Sequence, residues 1–200
     1  HGYIDKYVGD SIMALFDRTP DDAVQTSVSM FKALREFNEE RLRKGYEPIR
    51  IGVGVNTGMM MLGTLGEADR MEGSVISDAV NLAARLEGLT KLYKTQLLIS
   101  EATFKKLTLE VFKPRLIDKV AVKGKESSVL VYEVLDAEAQ ELFEKKHGTI
   151  KLFEQGFDLY QNQRFEEALP LFCRCLELVA EDTVAALYVE RCQILISGGW

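Results

Sequence analysis

Three residues of this 200-residue chain stand out because their types and spacing could do chemistry: Asp10, Asn81 and Arg85. Asp10 lies in Tyr3-Ile4-Asp5-Lys6-Tyr7-Val8-Gly9-Asp10-Ser11-Ile12-Met13-Ala14-Leu15-Phe16, which reads as two short strands joined by the pair Gly9-Asp10. Gly at the first central position suits a two-residue II′ turn, because it takes positive φ at no steric cost. An aspartate at a hairpin tip is either an ordinary turn former, among the commonest residues there, or a group that binds something. Asn81 and Arg85 belong to Ser74-Val75-Ile76-Ser77-Asp78-Ala79-Val80-Asn81-Leu82-Ala83-Ala84-Arg85-Leu86-Glu87. Four apart on a helix, they share one face. The guanidinium fork matches phosphate oxygens; alone, an Asn and an Arg on a helix are more often plain surface residues.

Those side chains need elements to hold them. After the hairpin, Thr19-Pro20-Asp21-Asp22 opens a helix, with Pro and acids in its first turn, and Ala23, Val24, Val28, Phe31, Leu34, Phe37 and Leu42 follow at helical spacing up to Gly45. Ile49 to Asn56 alternates as a strand, Thr57-Gly58 turns, and Met59 to Leu65 reads as a second strand whose methionines fill core gaps. A polar loop, Gly66 to Gly73, precedes a helix over Asp78–Leu92 with an apolar face through Val80, Leu82, Ala83, Leu86 and Leu89. Gln96 to Ile99 is a strand, Ser100-Glu101-Ala102-Thr103 starts a short helix, and Val111–Val122 with Val129–Leu135 reads as a closing hairpin around Lys123-Gly124-Lys125. Strands alternating with helices indicate an α/β or α+β layer.

The last third changes character. Asp136 to Gly148 is charged and reads as a helical linker. Leu152, Gly156, Phe165, Ala168, Phe172 and Cys175 then occupy the small and aromatic positions of a 34-residue helix–turn–helix unit, with Ala180 where Pro is usual and Asp182 next. This resembles a tetratricopeptide repeat over about Thr149 to Asp182, followed by a further helix from Thr183 to Ile196. A plain amphipathic hairpin is the alternative. One such unit cannot bury its own face, so the tail must pack on the preceding domain, on a second chain or on further repeats.

Composition narrows the partners. With 46% hydrophobic and 28% charged residues the chain is of globular type. A net charge of −6 and a pI near 5.1 give no basic footprint for nucleic acid. No apolar run approaches a bilayer span and no signal peptide is present, so the expected location of this segment is cytoplasmic. Cys173, Cys175 and Cys192 have no metal spacing and read as free thiols. The chain starts at His1 inside a motif and stops at Gly198-Gly199-Trp200, which reads as a piece of a longer protein with room for an anchor or sensor upstream.

Together the two chemistry-bearing stretches resemble the catalytic domain of class III nucleotide cyclases, the adenylate and guanylate cyclases, from Gly2 to about Val134. The resemblance implies an α+β fold: a ferredoxin-like or palm-like sheet with packed helices, lacking its first strand, plus a small all-α hairpin at the C-terminus. The expected division is a partial catalytic domain over 1–135, a helical linker over 136–148 and a helical tail over 149–200. The implied reaction joins the ribose 3′-oxygen of ATP to its α-phosphorus and expels pyrophosphate. By the same resemblance Asp10 is one of two metal-binding aspartates for two Mg²⁺ or Mn²⁺ ions, the other belonging to a strand before the hairpin. No motif position supports Asp5 in that role. Lys6 and Ser74 fall at the base-reading positions, where Lys goes with adenine and Glu with Cys goes with guanine. Asn81 orients the ribose, Arg85 stabilises the transition state, and Lys123 (or its neighbour Lys125) holds the terminal phosphates. Family members are dimers with the site between subunits, so a homodimer is implied, and the tail could take a protein partner. A guanylate cyclase and a non-catalytic dimerisation or regulatory module are the alternatives. The isolated 200-residue chain is expected to be inactive, for want of one metal aspartate.

Overall fold

The structure, a computed structural model, describes residues 1–65, 72–76, 78–121 and 128–198; for 61–65 and 72–76 it describes backbone course and pairing. The elements run β1 (Tyr3–Val8), β2 (Ser11–Leu15), α1 (Pro20–Arg43), β3 (Val53–Val55), β4 (Met61–Leu65), β5 (Glu72–Ile76), α2 (Asp78–Tyr93), β6 (Leu97–Ser100), α3 (Glu101–Phe104), β7 (Pro114–Ala121), β8 (Ser128–Val134), α4 (Gln140–Gln161), α5 (Phe165–Leu178) and α6 (Thr183–Ile196). This is a mixed α+β fold.

The central sheet has the order β3-β6-β8-β7. β3 and β6 are parallel; β6 with β8 and β8 with β7 are antiparallel. Side chains alternate between its faces. Leu97 and Ile99 join Val24 and Phe31 of α1, with Tyr132 and Val134, in one core. Leu98, Ile117 and Val131 point the other way, into a core shared with Leu86 and Tyr93 of α2 and with Phe153, Phe172 and Tyr188 of α4–α6. The C-terminal helices therefore bury their apolar face on the sheet.

Register explains how charge enters that second core. Gly54 pairs with Leu98, Leu98 with Glu133, and Glu133 with Arg115, so these four form one row across the sheet. α2 lies over the glycine end and the tail over the arginine end. The strand β7 carries a bulge between Leu116 and Asp118. The extra residue shifts the alternation by one, so that Asp118 joins Arg115 on the tail-facing side instead of facing α1.

Arg115, fully buried, donates to Glu133 at 2.6 Å and to Asp182 at 2.5 and 3.0 Å, and its guanidinium stacks 4.5 Å from the centre of the Phe153 ring. Lys146 of α4, also buried, donates to Glu133 at 2.7 Å and Glu138 at 2.8 Å. Asp182 in turn accepts from the Ala185 amide and so caps α6. Strands and tail are thus joined by a set of paired charges, in which Nε of Arg115 alone has no hydrogen-bond partner among the described residues. Removing one member would strand another in the interior.

Two local differences from the sequence reading have clear causes. The alternation over Ile49–Asn56 predicts an eight-residue strand, but only Val53–Val55 pairs. Asn38 of α1 donates to the Ile49 carbonyl and accepts from its amide, both at 2.8 Å, and so ties that segment to the helix instead of the sheet. The charged stretch after Asp136 begins with a 3₁₀ turn, Leu135–Ala137, and then enters α4, which runs unbroken to Gln161.

Candidate active site

The hairpin β1–β2 closes through Gly9 at φ +62°, flanked by the pair Val8 and Ser11, the geometry a two-residue II′ turn demands. Asp10 sits exposed at its tip. A bulge between Ile4 and Lys6 leaves Asp5 unpaired and turns Lys6 to the same side as Met13. Lys6 is half-buried there, with its ammonium 3.5 Å from the Asp5 carboxylate. Asp5, which no motif position singles out, is therefore the neighbour of Lys6. One of its buried oxygens has no hydrogen-bond partner among the described residues. The apolar residues Tyr3, Ile4, Tyr7, Val8 and Ile12 are each half or more exposed.

Asn81 and Arg85 lie on the exposed face of α2, whose opposite face buries Leu86, Thr90 and Tyr93. Three anchors fix the helix. At its start, Asn56 donates to the Ala79 carbonyl at 2.9 Å, and Ser100 donates to Asn56 at 2.6 Å. In its middle, Gly54 lets the backbones touch: a Cβ there would stand 2.2 Å from the Ala83 oxygen and 2.3 Å from the Glu87 nitrogen. At its end, the Tyr93 hydroxyl donates to Asp118 at 2.5 Å, and the Tyr93 carbonyl accepts from Thr183 of α6 at 2.7 Å. Burial first, then the Asp118 carboxylate, raises the Tyr93 phenol well above its ordinary value. A cleft of about 320 Å³ opens beside the first turn of α2, lined by Asn56, Thr57, Asp78, Ala79, Leu82 and Ser100 among others.

The other expected site residues are less fully placed. Ser74 pairs with Gly63 in the β4–β5 ladder, but its side chain lies outside what the structure describes, as do Lys123 and Lys125 altogether. Among the described residues no hydrogen bond or ion pair joins Asp10 or Lys6 to Asn81 or Arg85. Nor do three or more metal-ligating side chains converge among the described residues. Of the two hairpin carboxylates, Asp5 lies beside the Lys6 ammonium and Asp10 is the one exposed at the tip. A single hard oxygen donor suits Mg²⁺ only together with substrate phosphates, the usual way that ion is held.

Sequence reasoning passed over Arg115, Asp118 and Arg191. The available signals were a charge inside an apolar strand, Pro114-Arg115-Leu116-Ile117-Asp118, and the helix-capping pair Asp182-Thr183.

The fold and these side chains define a mixed α+β domain that offers a phosphate-matching helix face and a carboxylate-tipped hairpin. The chain belongs to the adenylate and guanylate cyclase catalytic domain family, whose model matches residues 3–135. It is 46% identical over 140 residues to an adenylate cyclase of Anabaena cylindrica, covering 66% of this chain and 28% of that protein. It is 36% identical over 198 residues to the terminal-differentiation-specific adenylate cyclase of Dictyostelium discoideum, covering 96% of this chain and 9% of that protein. The latter match therefore extends through the C-terminal helices. Among solved structures, the adenylyl cyclase CyaB from P. aeruginosa superposes with a TM-score of 0.58 at 31% identity, over 66% of this chain and 71% of that one. The chain spans less than a third of the length of these two curated relatives. No described helix is long and apolar enough to cross a membrane.

Proposed function

We propose that this chain is the catalytic region of an adenylate cyclase that converts ATP to cyclic AMP and pyrophosphate in the cytoplasm. The observation that carries this is the Asn81–Arg85 face: in a member of the cyclase family, both side chains are exposed on a helix pinned at its start, middle and end. The ribose 3′-hydroxyl loses its proton to water as its oxygen bonds to the α-phosphorus, and the bond from that phosphorus to the oxygen bridging it to the β-phosphate breaks, so that pyrophosphate leaves with that oxygen. Asn81 orients the ribose. Arg85 places its fork on the phosphate oxygens as negative charge builds there. Lys6 and Ser74 read the adenine, and Lys123 holds the terminal phosphates. Asp10 would hold Mg²⁺ or Mn²⁺, which when bound polarises the phosphate oxygens.

The active form is a homodimer with two equivalent sites between subunits. The apolar, uncovered hairpin supports this, because such surface is normally paired or covered. Residues 1–135 are the catalytic domain; 136–148 and 149–200 form the linker and the tetratricopeptide-like tail.

The test is turnover by the full-length protein with Mg²⁺ or Mn²⁺. Cyclic AMP formation from ATP is expected to exceed cyclic GMP formation from GTP, and Lys6→Glu with Ser74→Cys is expected to shift the preference toward GTP. Arg85→Ala is expected to lose about 100- to 1,000-fold in rate. Wild-type turnover by Arg85→Ala, or a preference for GTP in the unaltered protein, would overturn the reading.

A further inference from the structure

We infer that α6 of the C-terminal tail positions the catalytic helix α2, with Arg191 and Asp118 acting through Tyr93 on Asn81 and Arg85. The inference rests on the catalytic reading of Asn81 and Arg85 given above. It also gives the tail a role in the reaction beyond adding a helical extension.

The contact is built around one carboxylate. Asp118 of β7 accepts from the Tyr93 hydroxyl at 2.5 Å, from Arg191 of α6 at 3.0 Å and from the Lys119 amide at 2.7 Å. Arg191 also lies 5.0 Å from the centre of the Tyr188 ring, and the Tyr188 hydroxyl donates to the Ile117 carbonyl at 2.7 Å. The β7 bulge that turns Asp118 toward the tail is thus held by α6 at its extra residue, Ile117, and at Asp118 itself. On α2, the last residue is gripped twice, by its side chain through Asp118 and by its carbonyl through Thr183.

The chemistry lies close enough along the helix to feel this grip. Tyr93 is eight residues beyond Arg85, about 12 Å at 1.5 Å per residue, and the helix between them is unbroken. Gly54 fixes how near α2 lies to the sheet, and Asn56 fixes its start. At the far end, buried Thr90 and Tyr93 hold its rotation, Tyr93 also through the bonds of its hydroxyl and carbonyl. Displacements on the scale of an ångström at a reacting group cost rate steeply. Arg191 remains partly exposed, its side chain 28% accessible, so it can be altered without emptying the core.

The experiment compares kcat and KM for ATP in the full-length protein carrying Arg191→Met, Arg191→Lys, Tyr93→Phe, Arg85→Ala or, as a control, Phe165→Ala. Phe165 packs on Tyr160 at the α4–α5 corner and is not among the residues that bond Asp118, Tyr93 or Arg191. Arg191→Met and Tyr93→Phe are each expected to lower kcat about tenfold with KM within about twofold. The double variant is expected to lose no more than either single one, because both act through Asp118. Arg191→Lys restores most of the rate, and Phe165→Ala lowers the melting temperature while leaving kcat unchanged. Unchanged kcat in both Arg191→Met and Tyr93→Phe, with Arg85→Ala inactive, overturns the positioning role alone. Full activity in Arg85→Ala overturns the catalytic reading and this inference with it. Should Arg191→Met unfold, Tyr93→Phe, which deletes one hydroxyl, decides by the same kcat criterion.

Discussion

Arg115 on β7 and Asp182 at the head of α6, 67 positions apart, meet through two hydrogen bonds of 2.5 and 3.0 Å with both side chains fully buried. The same guanidinium serves Glu133, so one cation holds two carboxylates from different parts of the chain. Arg115→Met leaves Glu133 with Lys146 alone and Asp182 with no side-chain cation. It is expected to cost about 3–5 kcal/mol, the usual penalty for breaking a buried pair from one side. Urea titration followed by circular dichroism measures it.

Acid should loosen the same contact. Burial pushes the Asp182 carboxyl up, but Arg115 outweighs it and holds the group below its ordinary value; Lys146 and Arg115 do the same for Glu133. Because the folded values are depressed, the stability these two groups contribute is present above their unfolded values, about pH 4, and is lost as pH falls through the folded ones. The melting temperature is therefore expected to fall steeply below about pH 4 in the unaltered protein. The fall should be shallower in Asp182→Asn, which starts from a lower plateau.

Gly54 and Gly148 make opposite predictions for one and the same change. Gly54→Ala drives a methyl into the backbone of α2 and should cost about 1–3 kcal/mol as overpacking, with a fall in kcat as the helix is pushed off the sheet. Gly148 lies inside α4 with open space around a Cβ. Gly148→Ala should add about 0.5–1 kcal/mol through helix propensity. Thermal melts of the two variants in parallel test both.

If, on the proposed reading, Asp10 serves the site from one subunit and Arg85 reaches the same site from its partner, rescue between variants is expected. Asp10→Ala and Arg85→Ala should each be nearly inactive in the homodimer. Co-expressed, they form mixed dimers in which one site carries both lesions and the other neither. If half the dimers are mixed, activity should return to about a quarter of the unaltered level. Cyclic AMP assays on the co-expressed proteins read this out. No recovery in exchanging dimers would mean that both residues serve one site from the same chain.

The hairpin and helix α2 were legible because their signals are local. Gly9 announces its turn, and the spacing of Leu82, Leu86 and Leu89 announces which face of α2 is buried and therefore that Asn81 and Arg85 point outward. The alternation of such segments indicated an α/β or α+β layer, which the family resemblance narrowed to α+β. What sequence could not convey depends on pairing register and distant partners. The bulge that turns Asp118 over is one inserted residue in an otherwise regular strand, and Arg115 finds Asp182 only after the tail has folded back. The short extent of β3 was hidden for the same reason, since Asn38 reaches Ile49 from a neighbouring helix.

The cross-sheet row ending in Arg115 also bears on modularity. A tail grafted from another protein without a capping carboxylate where Asp182 stands would leave the Arg115 cation half-answered, and a catalytic domain cut away at Leu135 would expose Phe153's stacking partner and lose Lys146 at once. Anyone fusing new sensors or outputs to this protein should treat sheet and tail as one inheritable cassette and place junctions outside residues 3–196.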